Sequence, residues 1–325
     1  MRVLVTGGAG FVGSHLAESL LREGHVVTVV DDLSTGRIKN IRHLIQNKKF
    51  KFIKGTILNE KLMYKLIKDA DFIYHLAAAV GVKYIIENPL ASIKTNVRGT
   101  EIVLELVDKL SGPKNSKKVL ITSTSEVYGK NEHIPFSEED DRVLGPTTIC
   151  RWSYSCTKAL DEFLAFAYSK ERKLQVIIVR LFNTCGPRQV GDYGMVIPRF
   201  IDQALSSKHV TVYGSGQQTR SFLHVRDAVR AMLILSKNPS ALGKVFNIGS
   251  TQRTTIAGLA KKIIKLTASR SSIKYIPYEK VYKNHFEDMI HRLPDITRLK
   301  KICGFKLQYN LDDVIREMIA ERSGR

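Results

Sequence analysis

Short apolar runs rich in β-branched residues alternate with stretches of helical periodicity through the first half of the chain. The runs fall at 2–6, 26–31, 50–54, 71–76, 118–123 and 175–181, and the helical patterns at 12–23, 60–68, 89–110 and 152–171. Such alternation predicts a parallel sheet with helices on both faces. Unbroken segments such as Val119-Leu120-Ile121 and Val176-Ile177-Ile178-Val179 suit strands covered on both sides. After about residue 182 the texture changes. Gly186, Pro187, Gly191, Gly194, Pro198, Gly214 and Gly216 interrupt the pattern, helices are expected near 198–206 and 225–236, and strands become short.

The first apolar run, Val3-Leu4-Val5-Thr6, breaks into glycines at 7, 10 and 13 before a helical pattern begins at His15 and Leu16. A strand turning tightly into a helix leaves the first helical N–H groups aimed at whatever anion sits there. Gly7 permits the turn, Gly10 admits a pyrophosphate, and Gly13 lets the helix lie close on the strand. Asp31 closes the second apolar run, where such a fingerprint expects a carboxylate for the adenosine ribose diol. That carboxylate repels a 2′-phosphate, so NAD is favoured over NADP despite Arg37 nearby. The expected fold is α/β, a Rossmann-like doubly wound parallel sheet with a smaller, mixed α/β substrate lobe at the C-terminal end. We place the dinucleotide-binding domain at 1–182 and the substrate lobe at 183–325, the two interleaved in one body.

Composition narrows the function. The chain has 325 residues, 43% of them hydrophobic and 25% charged, which describes an ordinary globular protein. No apolar stretch approaches the roughly 20 residues that span a bilayer, and the first strand begins at Arg2 with no room for a signal peptide before it. The formal charge of +20 is carried mostly by dispersed lysines without aromatic interleaving, so no nucleic-acid partner is expected. Cys150, Cys156, Cys185 and Cys303 lack metal spacing and read as reduced thiols of a cytoplasmic protein without a bound metal.

Tyr154 and Lys158 stand four apart in a helical segment, hence on one face. Some 30 residues earlier a buried-strand pattern ends in Thr122-Ser123-Thr124-Ser125-Glu126-Val127-Tyr128-Gly129, at the sheet end where ligands bind. A tyrosine near pKa 10 is a poor base at neutral pH. The lysine ammonium and a nicotinamide ring both favour the phenolate. Tyr154 as base, Thr124 as its hydrogen-bond partner and NAD alongside suit proton abstraction from a secondary alcohol as hydride leaves.

Taken together these motifs resemble the extended short-chain dehydrogenase/reductases: nucleotide-sugar epimerases, dehydratases and decarboxylases. The resemblance rests on Thr6-Gly7-x-x-Gly10-x-x-Gly13, Asp31-Asp32-Leu33-Ser34, His75-Leu76-Ala77-Ala78, Asn96-Val97-x-Gly99-Thr100, the Ser123–Gly129 run and Tyr154-x-x-x-Lys158. It continues through Arg180-Leu181-Phe182-Asn183, Gly186-Pro187-Arg188, Val196-Ile197-Pro198-Arg199-Phe200, Thr219-Arg220, Phe246-Asn247-Ile248-Gly249 and Arg292-x-Pro294-Asp295, covering essentially the whole chain. It implies an NAD reduced and reoxidised within one cycle. Phe11, Val12, Asp32, Leu33, Ser34, Thr35 and Ile57 are implied as lining that cofactor. Leu76, Ala77, Ala78, Asn96, Thr122 and Phe182 are implied further along it, with Lys158 reaching the nicotinamide ribose. A UDP-sugar is implied on Thr124, Asn183, Arg188, Val196, Ile197, Pro198, Tyr213, Arg220 and Arg292. Relatives carry an Asp near the end of the third strand for the adenine amino group, where this chain reads Gly55-Thr56-Ile57.

Oxidation at C4 of the sugar opens three outcomes. Dehydratases resemble Thr-Asp-Glu after the strand, and Ser125 here argues against dehydration. Decarboxylases of UDP-glucuronate resemble Thr124-Ser125-Glu126 with a downstream arginine such as Arg292. Epimerases resemble the Val196–Phe200 segment, and Arg188 sits where epimerases of UDP-glucuronate can clamp the C6 carboxylate. We therefore expect a nucleotide-sugar 4-epimerase acting on a UDP-hexose or UDP-hexuronate, UDP-glucuronate favoured, with Thr124, Ser125, Glu126, Tyr154 and Lys158 as catalytic residues. UDP-glucuronate decarboxylase is the alternative within the family, and an idle dinucleotide-binding or scaffold protein the alternative outside it. Helices 89–110 and 152–171 have faces apolar enough to pair two subunits, so a homodimer is expected. Sugar identity is expected to depend on loops near 80–86, 186–199 and 213–220.

Overall fold

The six apolar runs pair as parallel strands: β1 (Arg2–Thr6), β2 (Val26–Asp31), β3 (Phe50–Lys54), β4 (Phe72–His75), β5 (Lys118–Thr124) and β6 (Gln175–Leu181). The structure is a computed structural model that describes residues 1–112, 116–191, 195–281, 289 and 291–324. Gly194, and residues 192–194 of the candidate specificity loop 186–199, lie outside it. Strand order places β4 and β2 on either side of β1, with β5 and β6 beyond β4 and β3 beyond β2. This is the doubly wound order, with its switch point beside β1, where ligands bind past the carboxyl ends.

A seventh strand, Lys244–Ile248, joins parallel to β6. The apolar periodicity of the first half does not reveal it, because it returns from beyond residue 182. The large sheet and the smaller lobe are therefore interleaved in sequence.

Alternation along each strand splits the core into two layers. Val3 and Val5 of β1 face one layer and Leu4 the other; Ile177 and Val179 of β6 oppose Val176 and Ile178 in the same way. The first layer is closed by α1 (Phe11–Arg22), through Leu16 and Leu20, and by Val229 and Met232 of the helix Val225–Lys237. The second is closed by α2 (Glu60–Asp69), α4 (Pro89–Leu110) and α5 (Trp152–Arg172), with α3 (Val82–Glu87) preceding α4. A third cluster, around Phe200, Val212, Leu259 and Met318, is the core of the smaller lobe.

Several motif residues support the fold; of these, Arg180, Tyr128 and Asn247 do not line the cavity described below, whereas Ser123 does. Arg180 Nη2 pairs with Glu162 Oε2 at 2.7 Å, and its Nη1 donates to Tyr128 Oη at 2.8 Å. Tyr128 donates in turn to Asn247 Oδ1 at 2.7 Å, and Ser123 Oγ to Glu162 Oε1 at 2.5 Å. This buried network joins β5, β6, α5 and the seventh strand, so each charge is paired and hydrogen-bonded where water cannot reach. The four cysteines are free thiols. Among the described residues no helix is long and apolar enough to cross a membrane, and no cluster of three candidate metal ligands occurs.

Candidate active site

One cavity of about 560 Å³ runs from the glycine-rich turn, past Tyr154, to the smaller lobe. At the first end Gly7 has a left-handed φ of +69°, and a Cβ on Gly13 would lie 2.3 Å from the Gly7 carbonyl. Only glycine lets α1 approach the turn this closely. No side chain caps α1 at Gly10, so its first N–H groups remain available to an anion. The Asp31 carboxylate accepts from Ala9 N at 3.0 Å and Leu33 N at 2.8 Å, which fixes it at the end of β2. Burial pushes its carboxyl above the usual range, partly opposed by those two N–H donors. An uncapped helix start, glycines whose Cβ space is filled, and an oriented carboxylate form a set that fits NAD.

The lining contains most of the residues expected around the cofactor: Phe11, Val12, Asp32, Ser34, Thr35, Ile57, Leu76, Ala77, Ala78 and Thr122. Three expected residues stand outside it. Leu33 packs against the first core layer. The Phe182 ring is buried against Tyr128. Asn96 is buried too; its Oδ1 accepts from Ala79 N at 2.7 Å, so it holds a lining loop without facing the cavity.

The centre of the cavity is built by the end of β5 and the first turns of α5. Tyr154, Lys158, Thr124, Ser125 and Glu126 all line it. Thr124 hydrogen-bonds the Tyr154 phenol. A lowering of that phenol is expected from Lys158 and a nicotinamide ring together, whereas the chain's other groups act in the opposite direction. Burial first, and then the charges of Glu126 and Asp161, push the phenol above its ordinary value. The Lys158 ammonium is itself bound to the buried Asp161 carboxylate, Nζ to Oδ2 at 2.7 Å. With the chain's own charges alone, Tyr154 is held protonated.

The far end presents guanidinium groups. Strands Thr219–Ser221 and His291–Arg292 pair in parallel with Arg292 beside Arg220, and both side chains line the cavity. Arg199 lies over the Tyr213 ring, 3.8 Å from its centroid, and these two also line it with Asn183, Val196, Ile197 and Pro198. Glu126 Oε1 stands 3.2 Å from Arg292 Nη1 and 3.8 Å from Arg151 Nη2. Arg151 is a site residue absent from the motifs above; its signal in the sequence is the three-residue spacing to Tyr154, which puts both on one side of the start of α5.

Arg188, expected at the sugar carboxylate, makes its contacts on α1. It has a left-handed φ of +70°, donates through Nη2 to Glu18 Oε2 at 2.6 Å and through Nη1 to Ser14 Oγ at 3.3 Å. It lines the cavity at the α1 end, tied to the dinucleotide-binding helix and not to the Tyr154–Glu126 centre where a sugar carboxylate would be clamped. The sequence places it beside Asn183 and Gly186, but its partners lie some 170 positions away on α1.

A family model described as GDP-mannose 4,6 dehydratase matches residues 4–318. A UDP-N-acetyl-alpha-D-glucosaminuronate decarboxylase of Bacillus cytotoxicus is 44% identical over 319 residues, covering 98% of this chain and 96% of that protein. UDP-glucuronic acid decarboxylase 1 of Danio rerio is 36% identical over 321 residues, covering 98% of this chain and 72% of that protein. Among solved structures, UDP-glucuronic acid 4-epimerase from Bacillus cereus, in complex with UDP-glucuronic acid and NAD, superposes with a TM-score of 0.88 at 28% identity, covering 100% of this chain and 99% of that one.

Proposed function

This chain belongs to the extended short-chain dehydrogenase/reductase family of nucleotide-sugar epimerases, dehydratases and decarboxylases, and we propose that within it the protein is an NAD-dependent UDP-hexuronate decarboxylase. One contrast carries the reading over the 4-epimerase expected from sequence. Glu126 is fixed by Arg292 beside Tyr154, whereas Arg188, the arginine expected to clamp the uronate, is bound to Glu18. The names of the relatives at 44% and 36% identity support the same reading.

Gly7 to Gly13, Asp31 and Lys158 would hold NAD, which when bound supplies an acceptor and later a donor of hydride for C4 of the sugar. Arg220 offers a forked, fixed charge to a diphosphate, with Asn183 and the Val196–Pro198 segment beside it. Tyr154 takes the proton of the C4 hydroxyl, hydrogen-bonded by Thr124. The product of that step is a β-keto acid. When its C5–C6 bond breaks, the electron pair passes to the C4 oxygen and carbon dioxide leaves. Tyr154, now carrying the proton, stands ready to hydrogen-bond the enolate. A carboxylate held flat in the ring plane resists this loss. The Glu126 charge beside it favours the perpendicular arrangement, while Arg292 and Arg151 retain the uronate in the site.

Product analysis by NMR tests the reading. UDP-glucuronate and its 2-acetamido counterpart are supplied separately with NAD; release of carbon dioxide with a UDP-pentose product supports it. A UDP-galacturonate-type product without carbon dioxide returns the assignment to 4-epimerase, the reading favoured by the likeness to solved epimerases. Neither product, with no NADH absorbance on adding UDP-sugars, leaves the idle dinucleotide-binding protein.

Two further expectations go with this reading. A cytoplasmic setting suits four free thiols. Helices α4 and α5 expose Leu90, Ile93, Leu160 and Phe163, apolar area that suits a second copy of the chain. A monomeric mass by light scattering at micromolar concentration would remove the dimer.

A further inference from the structure

The residue that Lys158 holds has no part in the motif that predicted the site. Asp161 lies three residues on, completely buried, with Oδ2 at 2.7 Å from Lys158 Nζ. Its other oxygen, Oδ1, makes no hydrogen bond of ordinary geometry, although Thr100 of α4 helps to stabilise the carboxylate. Behind it runs a buried string of polar groups. Thr100 Oγ1 meets His75 Nε2 at 3.2 Å, and His75 Nδ1 meets Thr6 Oγ1 at 2.9 Å, at the residue before the glycine-rich turn. A carboxylate with a half-satisfied hydrogen-bond set is costly to bury. Here it lies two turns beyond the phenol, on the same helix.

We propose that Asp161 is a positioning residue: it anchors the Lys158 ammonium beneath Tyr154 and thereby sets the pH range over which the phenol takes and returns a proton. The proposal rests on the reading of Tyr154 as the acid–base group. That group must accept a proton from C4 and later give one back, and efficient transfer in both directions requires a proton affinity near the working pH. A lysine ammonium and a nicotinamide ring, unopposed, would leave a phenolate too weak as a base to take the C4 proton. Asp161 opposes them.

The charged groups facing this centre are Lys158 and Glu162 on α5, Glu126 after β5, and Arg151 and Arg292 on its cavity side. The neutral imidazole of His75 faces it from β4. Asp161 is the negative charge bound directly to Lys158. Burial outweighs the lysine's pull on its carboxyl, which is itself raised. The pair is therefore held by placement in the fold.

The test uses the full-length protein with NAD+ and two readouts. The first is the acid limb of kcat/KM. The second is the pH titration of 13Cζ-labelled Tyr154 with NAD+ and no sugar, its resonance assigned through Tyr154→Phe. Asp161→Asn, and Asp161→Ser as a smaller neutral replacement, are expected to move both midpoints down by about one pH unit, the size of effect of a neighbouring charge. Asp161→Glu keeps the charge and is expected to restore most of the difference. Unchanged midpoints in a folded neutral variant overturn the proposal. So does failure of both neutral variants to fold, because Asp161 is then a folding residue. If Tyr154→Phe turns over normally, the reading beneath the proposal fails instead, and the two failures are told apart.

Discussion

Glu126 Oε1 lies 3.2 Å from Arg292 Nη1, a contact between the end of β5 and a two-residue strand more than 160 positions later. Both side chains line the cavity that holds Tyr154, where the proposed substrate would sit. Glu126→Gln keeps the shape and removes the charge. Decarboxylation is expected to fall by about 10²-fold or more, the scale of a positioned catalytic group, while the C4 oxidation step persists. NADH absorbance during the first turnover, set against carbon dioxide release, separates the two steps. Equal loss of both would remove Glu126 from the carboxylate step.

Arg188 is tied to Glu18 and Ser14 on α1. Arg188→Ala is therefore expected to weaken NAD binding while leaving the ratio of decarboxylated to epimerised product unchanged. Fluorescence titration with NAD and product NMR measure the two. A shift in product ratio at constant NAD affinity would restore Arg188 as the carboxylate clamp.

A Cβ on Gly13 would stand 2.3 Å from the Gly7 carbonyl and 2.7 Å from Gly8 Cα, both backbone atoms that cannot swing away. Gly13→Ala is expected to cost about 1–3 kcal/mol by overpacking and to displace α1 from the turn that receives the pyrophosphate. Urea denaturation and NAD affinity should both suffer. A stable variant with normal affinity would show that α1 can shift without harm.

The Glu162–Arg180 pair is buried at both ends. Glu162→Ala leaves a guanidinium without its counter-charge in the core, which costs about 3–5 kcal/mol. Denaturant midpoints check this. A loss below about 1 kcal/mol, the size of an exposed pair, would mean that water reaches Arg180.

Acid should destabilise this fold well above the range of its carboxylates. Burial holds His15 down to about 4 and His75 down to about 3. Their folded values lie below the unfolded value of 6.5, so the folded state binds fewer protons. The stability from keeping them neutral is complete above pH 6.5 and is lost as pH falls towards those values. Each contributes a slope of about 1.4 kcal/mol per pH unit across that window. His15→Gln should lower the slope between pH 6.5 and 5 by that amount. Buried Asp31 and Asp161, with raised values, act in the opposite direction in both proteins and cancel in the comparison. An unchanged slope would show that His15 is accessible to protons in the folded state.

The sequence by itself determined what depends on near neighbours. Strands β1 to β6 fall where the apolar runs stand, because a strand covered on both faces must be apolar along its length. The glycine turn, Asp31 at the end of β2, and Tyr154 one turn before Lys158 were legible because a tight turn and a helical face are fixed within a few residues. Tertiary structure alone decided what these groups meet. The seventh strand arrives from beyond residue 182, Arg188 turns to α1, Arg151 and Arg292 converge on Glu126, and Asp161 takes the ammonium expected to serve Tyr154. Each of these except Asp161 joins elements distant in sequence. Asp161 was within reach of inspection, but its consequence comes from burial, which multiplies a charge contact that water would otherwise screen.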